Sequence, residues 1–227
     1  MAPWPKLSGW TPLRPKGRVA DMLQLFLSAF TTLFLVIDPP GCAPIYAGLT
    51  THASARQATQ MALRACVIAT GILVVFALFG EALLGALHIE LASFRIAGGI
   101  MLFLIALDMV FEKRTERREE RAEKVRNATP HVEDVSVFPM AMPMLAGPGS
   151  IASIMLLTAR AHGSEETAVV LAALAVVMAM SFIALVAARP IIRVLGEQVE
   201  AVVTRLLGVL LAALAAQFVI DGLRTQF

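Results

Sequence analysis

Charged side chains are absent from positions 22–37, 39–55, 65–80, 135–159 and 167–188, and shorter uncharged runs cover 96–107 and 206–220. A bilayer core takes about 20 mostly apolar residues per helix. The runs therefore predict six spanning helices near 22–50, 62–87, 91–111, 136–158, 166–188 and 203–223, the first interrupted by Asp38. None alternates polar and apolar residues with the two-residue period of a barrel strand, so a closed β-barrel is excluded.

Composition agrees with the pattern. Apolar residues make up 58% of the 227 positions and charged residues 16%, with a mean hydropathy of +0.75. A water-soluble fold of this make-up would expose a large apolar surface, whereas lipid solvates it. The net charge of +2 gives no case for nucleic acid.

The chain matches itself. The segment 33–46, LFLVIDPPGCAPIY, resembles 140–153, MAMPMLAGPGSIAS, when Gly41 is set against Gly149 and Pro40 against Pro148, at an offset of 108. Further on, 94–107 aligns with 204–217, pairing Arg95 with Arg205 and Gly98 with Gly208 at an offset of 110. Each half holds three spans, an odd number, so the halves are expected to insert in opposite orientations. The predicted fold is an all-α membrane protein: six transmembrane helices in two inverted three-helix repeats, with the first and fourth helices broken. The repeats cover 22–111 and 135–227, joined by a charged linker at 112–134. Residues 1–21, with Pro3, Pro5, Pro12 and Pro15, read as a disordered segment or an extension upstream of a true start at Met22.

The breaks fall at matching places. Asp38-Pro39-Pro40-Gly41 interrupts span one and Ala146-Gly147-Pro148-Gly149-Ser150 interrupts span four. Proline removes a helix N–H and clashes with the preceding turn. Irregular backbone at membrane depth is tolerated only inside protein or against a wet cavity, and paired interruptions point to a transport site. Asp38 before Pro39 reads as a helix N-cap followed by proline at the first helical position. Two half-helix N-termini would then point at the centre and favour an anionic or carboxylate-bearing solute. The candidate substrate residues are Asp38, Pro39, Pro40, Gly41, Pro44, Gly147, Pro148, Gly149 and Ser150. An intramembrane carboxylate marks function by default, and Asp38 as a plain helix cap is the competing reading.

Counting Lys and Arg by side, the links after spans one, three and five carry most of the positive charge. The other side has only Arg95, Arg160 and Arg224, if 1–21 is left out. The positive-inside rule then places the 112–134 linker in the cytoplasm and both termini outside. That linker repeats like charges at spacing four, as in Glu112, Glu116 and Glu120, which disfavours an ordered helix.

Four motifs in order, IDPPGCAPI (37–45), FRIAGG (94–99), FPMAMPMLAGPGSI (138–151) and AAQFVIDGL (215–223), resemble the MarC family of bacterial membrane proteins. The resemblance covers nearly the whole chain from 22. It implies six helices, inner-membrane residence and kinship with LysE-type exporters, and no settled substrate.

Arg95, Asp108, Arg205, Gln217 and Asp221 are candidates for ion pairs or ion coupling, with interfacial anchoring as the simpler reading. Cys42 and Cys66 are expected to be buried apolar thiols, and the histidines His52, His88, His131 and His162 fall in separate links, so no metal and no cofactor are expected. No phosphate loop or hydrolase motif occurs, and no enzymatic activity is expected. The leading expectation is a secondary transporter, an exporter of a small polar or anionic solute, with the lipid bilayer as its environment and a homo-oligomer open. The alternative is a non-transporting scaffold that docks a partner through 112–126.

Overall fold

The computed structural model of the chain describes residues 17–111 and 134–226. The expected features at 1–16 and 112–133 lie outside the described residues. The elements in chain order are α1 (Gly17–Ile37), α2 (Pro39–Leu49), α3 (Ala55–Ala86), α4 (Leu91–Val110), α5 (Ser136–Leu145), α6 (Pro148–Thr158), α7 (Ser164–Val186) and α8 (Ala188–Gln226). No strand occurs among the described residues. Five helical stretches are long and apolar enough to cross a membrane: 18–49, 55–86, 91–110, 164–186 and 202–225. A sixth forms if α5 and α6, bent by 54° at their junction, count as one span.

Three boundaries differ from expectation. Helix α3 begins at Ala55, ahead of 62, because the Ser54 cap opens it there and it runs on through Arg56 and Arg64. Helix α1 begins at Gly17, ahead of Met22. The link expected between spans five and six is the opening of α8, which runs unbroken through 39 residues. Nothing in 189–202 stops a helix: Pro190 falls in the first turn, where its missing N–H is harmless, and Gly196 is the lone glycine.

Helix α5 is the irregular element. Phe138 (φ −130°, ψ 126°) and Met142 (φ −130°, ψ 125°) are extended, each immediately before a proline. The clash of a proline ring with the preceding residue disfavours the helical region there. The chain answers with wide turns: Met140 N–H donates to the Val135 carbonyl (3.3 Å) and Ala146 N–H to the Ala141 carbonyl (2.9 Å).

The bundle has two apolar clusters. One joins Leu33, Ile37 and Cys42 of the first span to Ala69 and Leu73 of α3, Met140 and Leu145 of α5, and Ala173 and Val177 of α7. The other joins Leu35 and Val36 to Leu102 and Ala106 of α4, Leu156 of α6, and Leu211 and Ala215 of α8. Val36 and Ile37 thus face different clusters, and the first break follows directly after them. Outside the bundle lies an apolar coat that includes Val67, Phe79, Ile183 and Leu206, each more than half exposed. Lipid is the solvent such a surface requires.

Helices α4 and α8 form the most extensive interface, and small residues set its distance. A Cβ on Gly99 would lie 2.9 Å from the Ala215 carbonyl oxygen, and one on Gly222 would lie 3.1 Å from that of Ala92. Such close backbone approach is the usual device for joining helices where no hydrophobic drive separates protein from lipid. Elsewhere α7 packs on α1, α2 and α3; α6 on α1, α3 and α4; α2 on α8; and α5 on α3.

Candidate functional site

The first break is built around Asp38. Proline at 39 and 40 cannot donate hydrogen bonds, so α1 ends at Ile37 and α2 restarts with proline at its first position. Between them Asp38 takes the left-handed conformation (φ 57°, ψ 65°), which a non-glycine side chain adopts at a cost of about 1–2 kcal/mol. Its Oδ1 accepts from Gly41 N–H at 3.2 Å, capping α2. Its own N–H still donates to the Phe34 carbonyl (3.0 Å) and its carbonyl accepts from Cys42 N–H (3.1 Å), so few backbone groups are orphaned. Asp38 is 1% exposed and belongs to the interior. Gly41 is required beside it, because a Cβ there would collide with the Asp38 carboxylate.

The second break repeats the plan without the carboxylate. Gly147 is extended (φ −79°, ψ 171°) and Pro148 opens α6, whose first turn closes through Ile151 N–H to the Gly147 carbonyl (3.0 Å). A Cβ on Gly147 would sit 2.5 Å from the Pro143 carbonyl oxygen. Gly149 and Ser150 are buried and Pro148 is exposed. The second break meets the end of α1: a Cβ on Gly149 would lie 3.3 Å from Cγ1 of Val36, two residues before Asp38, and 2.5 Å from Cδ1 of Ile105. Pro39 and Gly41 are buried with them, and Pro40 and Pro44 are half-buried. The junction lies inside the bundle and is tightly packed, so that a methyl group at Gly149 fits only if the Ile105 side chain turns aside. One turn beyond Ser150, the Ser153 hydroxyl is fully buried with no hydrogen-bond partner.

The remaining candidates divide between the two ends of the α4–α8 pair. Asp221 accepts from Arg160 Nη2 through Oδ2 (2.9 Å) and from Gln217 Nε2 through Oδ1 (2.6 Å). Arg160 also lies 4.8 Å above the Phe218 ring. Arg95 and Asp221 line one cavity. Asp108, half-buried, and Arg205, exposed, sit toward the opposite end and join neither the breaks nor that cavity. Arg160 and Phe218 were not among the residues singled out in sequence. A signal existed, since Arg160 is the lone charged residue between Asp134 and Glu165.

At the linker end Arg64 of α3 pairs with Asp134 (2.9 Å), whose Oδ1 also accepts from Ser136 N–H (2.9 Å). Partial burial pushes the Asp134 carboxyl up, but bonding to Ser136 and the neighbouring Arg64 outweigh it and hold the group below the usual carboxylate range. Both cysteines are buried and outside any disulfide.

In sequence, the chain is similar to known membrane proteins. The profile of the MarC family integral membrane protein matches residues 23–227. A UPF0056 membrane protein of Methanocaldococcus jannaschii is 33% identical over 202 residues, covering 89% of this chain and 97% of that protein. A UPF0056 membrane protein of Bacillus subtilis is 32% identical over 210 residues (91% and 97%), and a UPF0056 inner membrane protein of Escherichia coli is 31% identical over 198 residues (87% and 95%). No solved structure matches the chain.

Proposed function

The chain belongs to the MarC family of integral membrane proteins, and from that premise we propose that it is a secondary transporter, exporting a small polar or anionic solute across the inner membrane by alternating access. One observation carries this reading: Gly149 of the second break packs against Val36, two residues before the buried Asp38 of the first break, so the interruptions from the two halves of the chain lie near one another in the interior. Burying a carboxylate and two irregular backbone segments in a lipid-facing protein is costly. A solute path supplies a reason for the expense that packing alone does not.

The inverted-repeat organisation of 22–111 and 135–227 is part of the proposal. The packing supports it, because exchanging α1–α2 with α5–α6, α3 with α7 and α4 with α8 carries most helix contacts onto one another. The α1–α7 contact becomes α5–α3, α2–α7 becomes α6–α3, and α2–α8 becomes α6–α4, while α3–α7 and α4–α8 map onto themselves. In this arrangement the closed junction is an occluded state. Rocking one half against the other separates Gly149 from Val36 and exposes Asp38, Ser150 and the N-terminal N–H groups of α2 and α6 to one side. The chain supplies binding and gating and no chemical step. The 112–134 linker is cytoplasmic and the termini periplasmic. The inner-membrane assignment is drawn from the name of the Escherichia coli relative.

The test is flux in proteoliposomes, with a panel of amino acids and small organic anions under imposed proton or sodium gradients. Wild type is expected to show gradient-dependent uptake or release of at least one solute. Asp38→Asn is expected to lower it at least tenfold while remaining monodisperse. Absence of flux across the panel, or full flux in Asp38→Asn combined with Gly149→Ala, contradicts the assignment of the site to the breaks.

A further inference from the structure

At the end of the bundle away from Asp134, α4, the α6–α7 link and α8 line an open cavity of about 450 Å³ that the transport reading does not use. Arg95 comes from the first turn of α4, Arg160 and His162 from the link between α6 and α7, and Asp221, Arg224 and Thr225 from the last turns of α8. Three guanidiniums therefore face one carboxylate. That carboxylate is already engaged, one oxygen with Arg160 and the other with Gln217. Arg160 is fixed further by the Phe218 ring. Arg95 is left over: its Nε is buried without a hydrogen-bond partner. A buried unpaired guanidinium N–H is costly unless something accepts from it.

The charge distribution sharpens the point. Among the described Lys and Arg of 22–227, only Arg95, Arg160 and Arg224 lie at this end of the bundle, and all three line the one cavity. Scattered interfacial anchors would have no reason to converge. A second cavity shares His162 and has the opposite balance, with Asp21, Glu165 and Glu166 against Arg18. Arg18 there is taken by Glu165 (3.2 Å), and Glu166 accepts from the His162 backbone N–H (2.8 Å). None of these acids lines the arginine cavity.

We propose that Arg95, Arg160 and Arg224 form an anion site at the membrane boundary, built for a phosphate- or carboxylate-type group of either a free solute or an anionic lipid headgroup. Planar guanidiniums fit such oxygens in pairs, and the Asp221 clamp and the Phe218 ring hold one of them in place before the anion arrives. The site does not depend on the transport reading, since a headgroup held here would serve a transporter and a scaffold alike.

The test uses the full chain in lipid nanodiscs and reads its thermal midpoint. In one arm inorganic phosphate is titrated into phosphatidylcholine discs. In the other, phosphate is omitted and part of the lipid is replaced by phosphatidylglycerol. A rise in midpoint in the first arm identifies a free anion, a rise in the second a headgroup, and either supports the site. Arg95→Gln and Arg224→Gln are each expected to weaken the effect about tenfold, the loss of one charge-assisted hydrogen bond. Arg56→Gln, exposed at the other end, is expected to leave it unchanged. Arg224 is exposed in the last turn of α8, so its replacement does not threaten folding. No rise in either arm, or an undiminished rise in Arg224→Gln, overturns the proposal.

Discussion

Leucine at position 149 is expected to prevent accumulation of folded protein, while alanine at the same position is tolerated with a lowered thermal midpoint. The first atom added at Gly149 already meets Cδ1 of Ile105 at 2.5 Å and Cγ1 of Val36 at 3.3 Å. The Ile105 methyl is the free end of a half-buried side chain and can turn aside, so alanine costs about 1–2 kcal/mol of overpacking. Leucine adds three more carbons at a place where Val36 and Leu102 are buried and have nowhere to go. The penalty then exceeds 3 kcal/mol, on the order of half of a typical folding free energy of about 5–15 kcal/mol. Size-exclusion profiles of a fluorescent fusion, with thermal midpoints for the survivors, distinguish the two variants. A Gly149→Leu protein with the wild-type profile would mean the breaks are not in contact.

A comparably large effect is expected at Asp38, where it can be separated into parts. Asp38→Ala removes the acceptor for Gly41 N–H and leaves an alanine in the left-handed region. The lost cap costs about 0.5–2 kcal/mol, and no water is at hand at this depth to replace it. Asp38→Asn keeps an amide oxygen at the same place and tolerates the conformation, so its stability is expected to stay within about 1 kcal/mol of wild type. Charge and cap are thereby uncoupled: loss of flux in a stable Asp38→Asn protein is a statement about the carboxylate alone. Gly41→Ala supplies the second leg. Its Cβ collides only with Asp38 among the atoms nearest to it, so the substitution should be harmful in the wild-type background and nearly harmless with Asp38→Ala. A coupling of about 1–3 kcal/mol in a double-mutant cycle is expected. Additive effects would show that Asp38 does not cap α2 through Gly41.

Much of this could be read along the chain. Spans one to five are legible because charge is excluded from a bilayer core, although α3 runs seven residues ahead of its uncharged stretch, through Arg56 and Arg64. The Asp38 cap was legible because Asp-Pro at a helix restart has one economical geometry. The opening of span four was not. Pro139 and Pro143 lie in plain view, but the answer to two prolines four residues apart, an extended residue before each and wide turns between, depends on what packs around them. The start of α8 was missed for the opposite reason, since charge between two apolar runs looks like a link even where nothing breaks the helix. The arginine cavity was beyond a linear reading. Arg95 of α4, Arg160 of the α6–α7 link and Arg224 of α8 are far apart in sequence, and only folding brings them together. The lone Arg160 in an uncharged stretch was the one available hint.

The claim on which the account rests is that the two breaks meet inside the bundle, and oxidative cross-linking tests it most directly. In a protein with Cys42 and Cys66 replaced by alanine, cysteines at Val36 and Gly149 would be close neighbours, since a Cβ on Gly149 lies 3.3 Å from Val36 Cγ1, one bond beyond the Val36 β-carbon. Treated in native membranes with a mild copper oxidant, the pair is expected to give a shifted band on a denaturing gel that returns on reduction. A pair of Val36→Cys with Arg205→Cys should give none. A Val36→Cys/Gly149→Cys protein that is folded and monodisperse yet stays reduced would contradict the account.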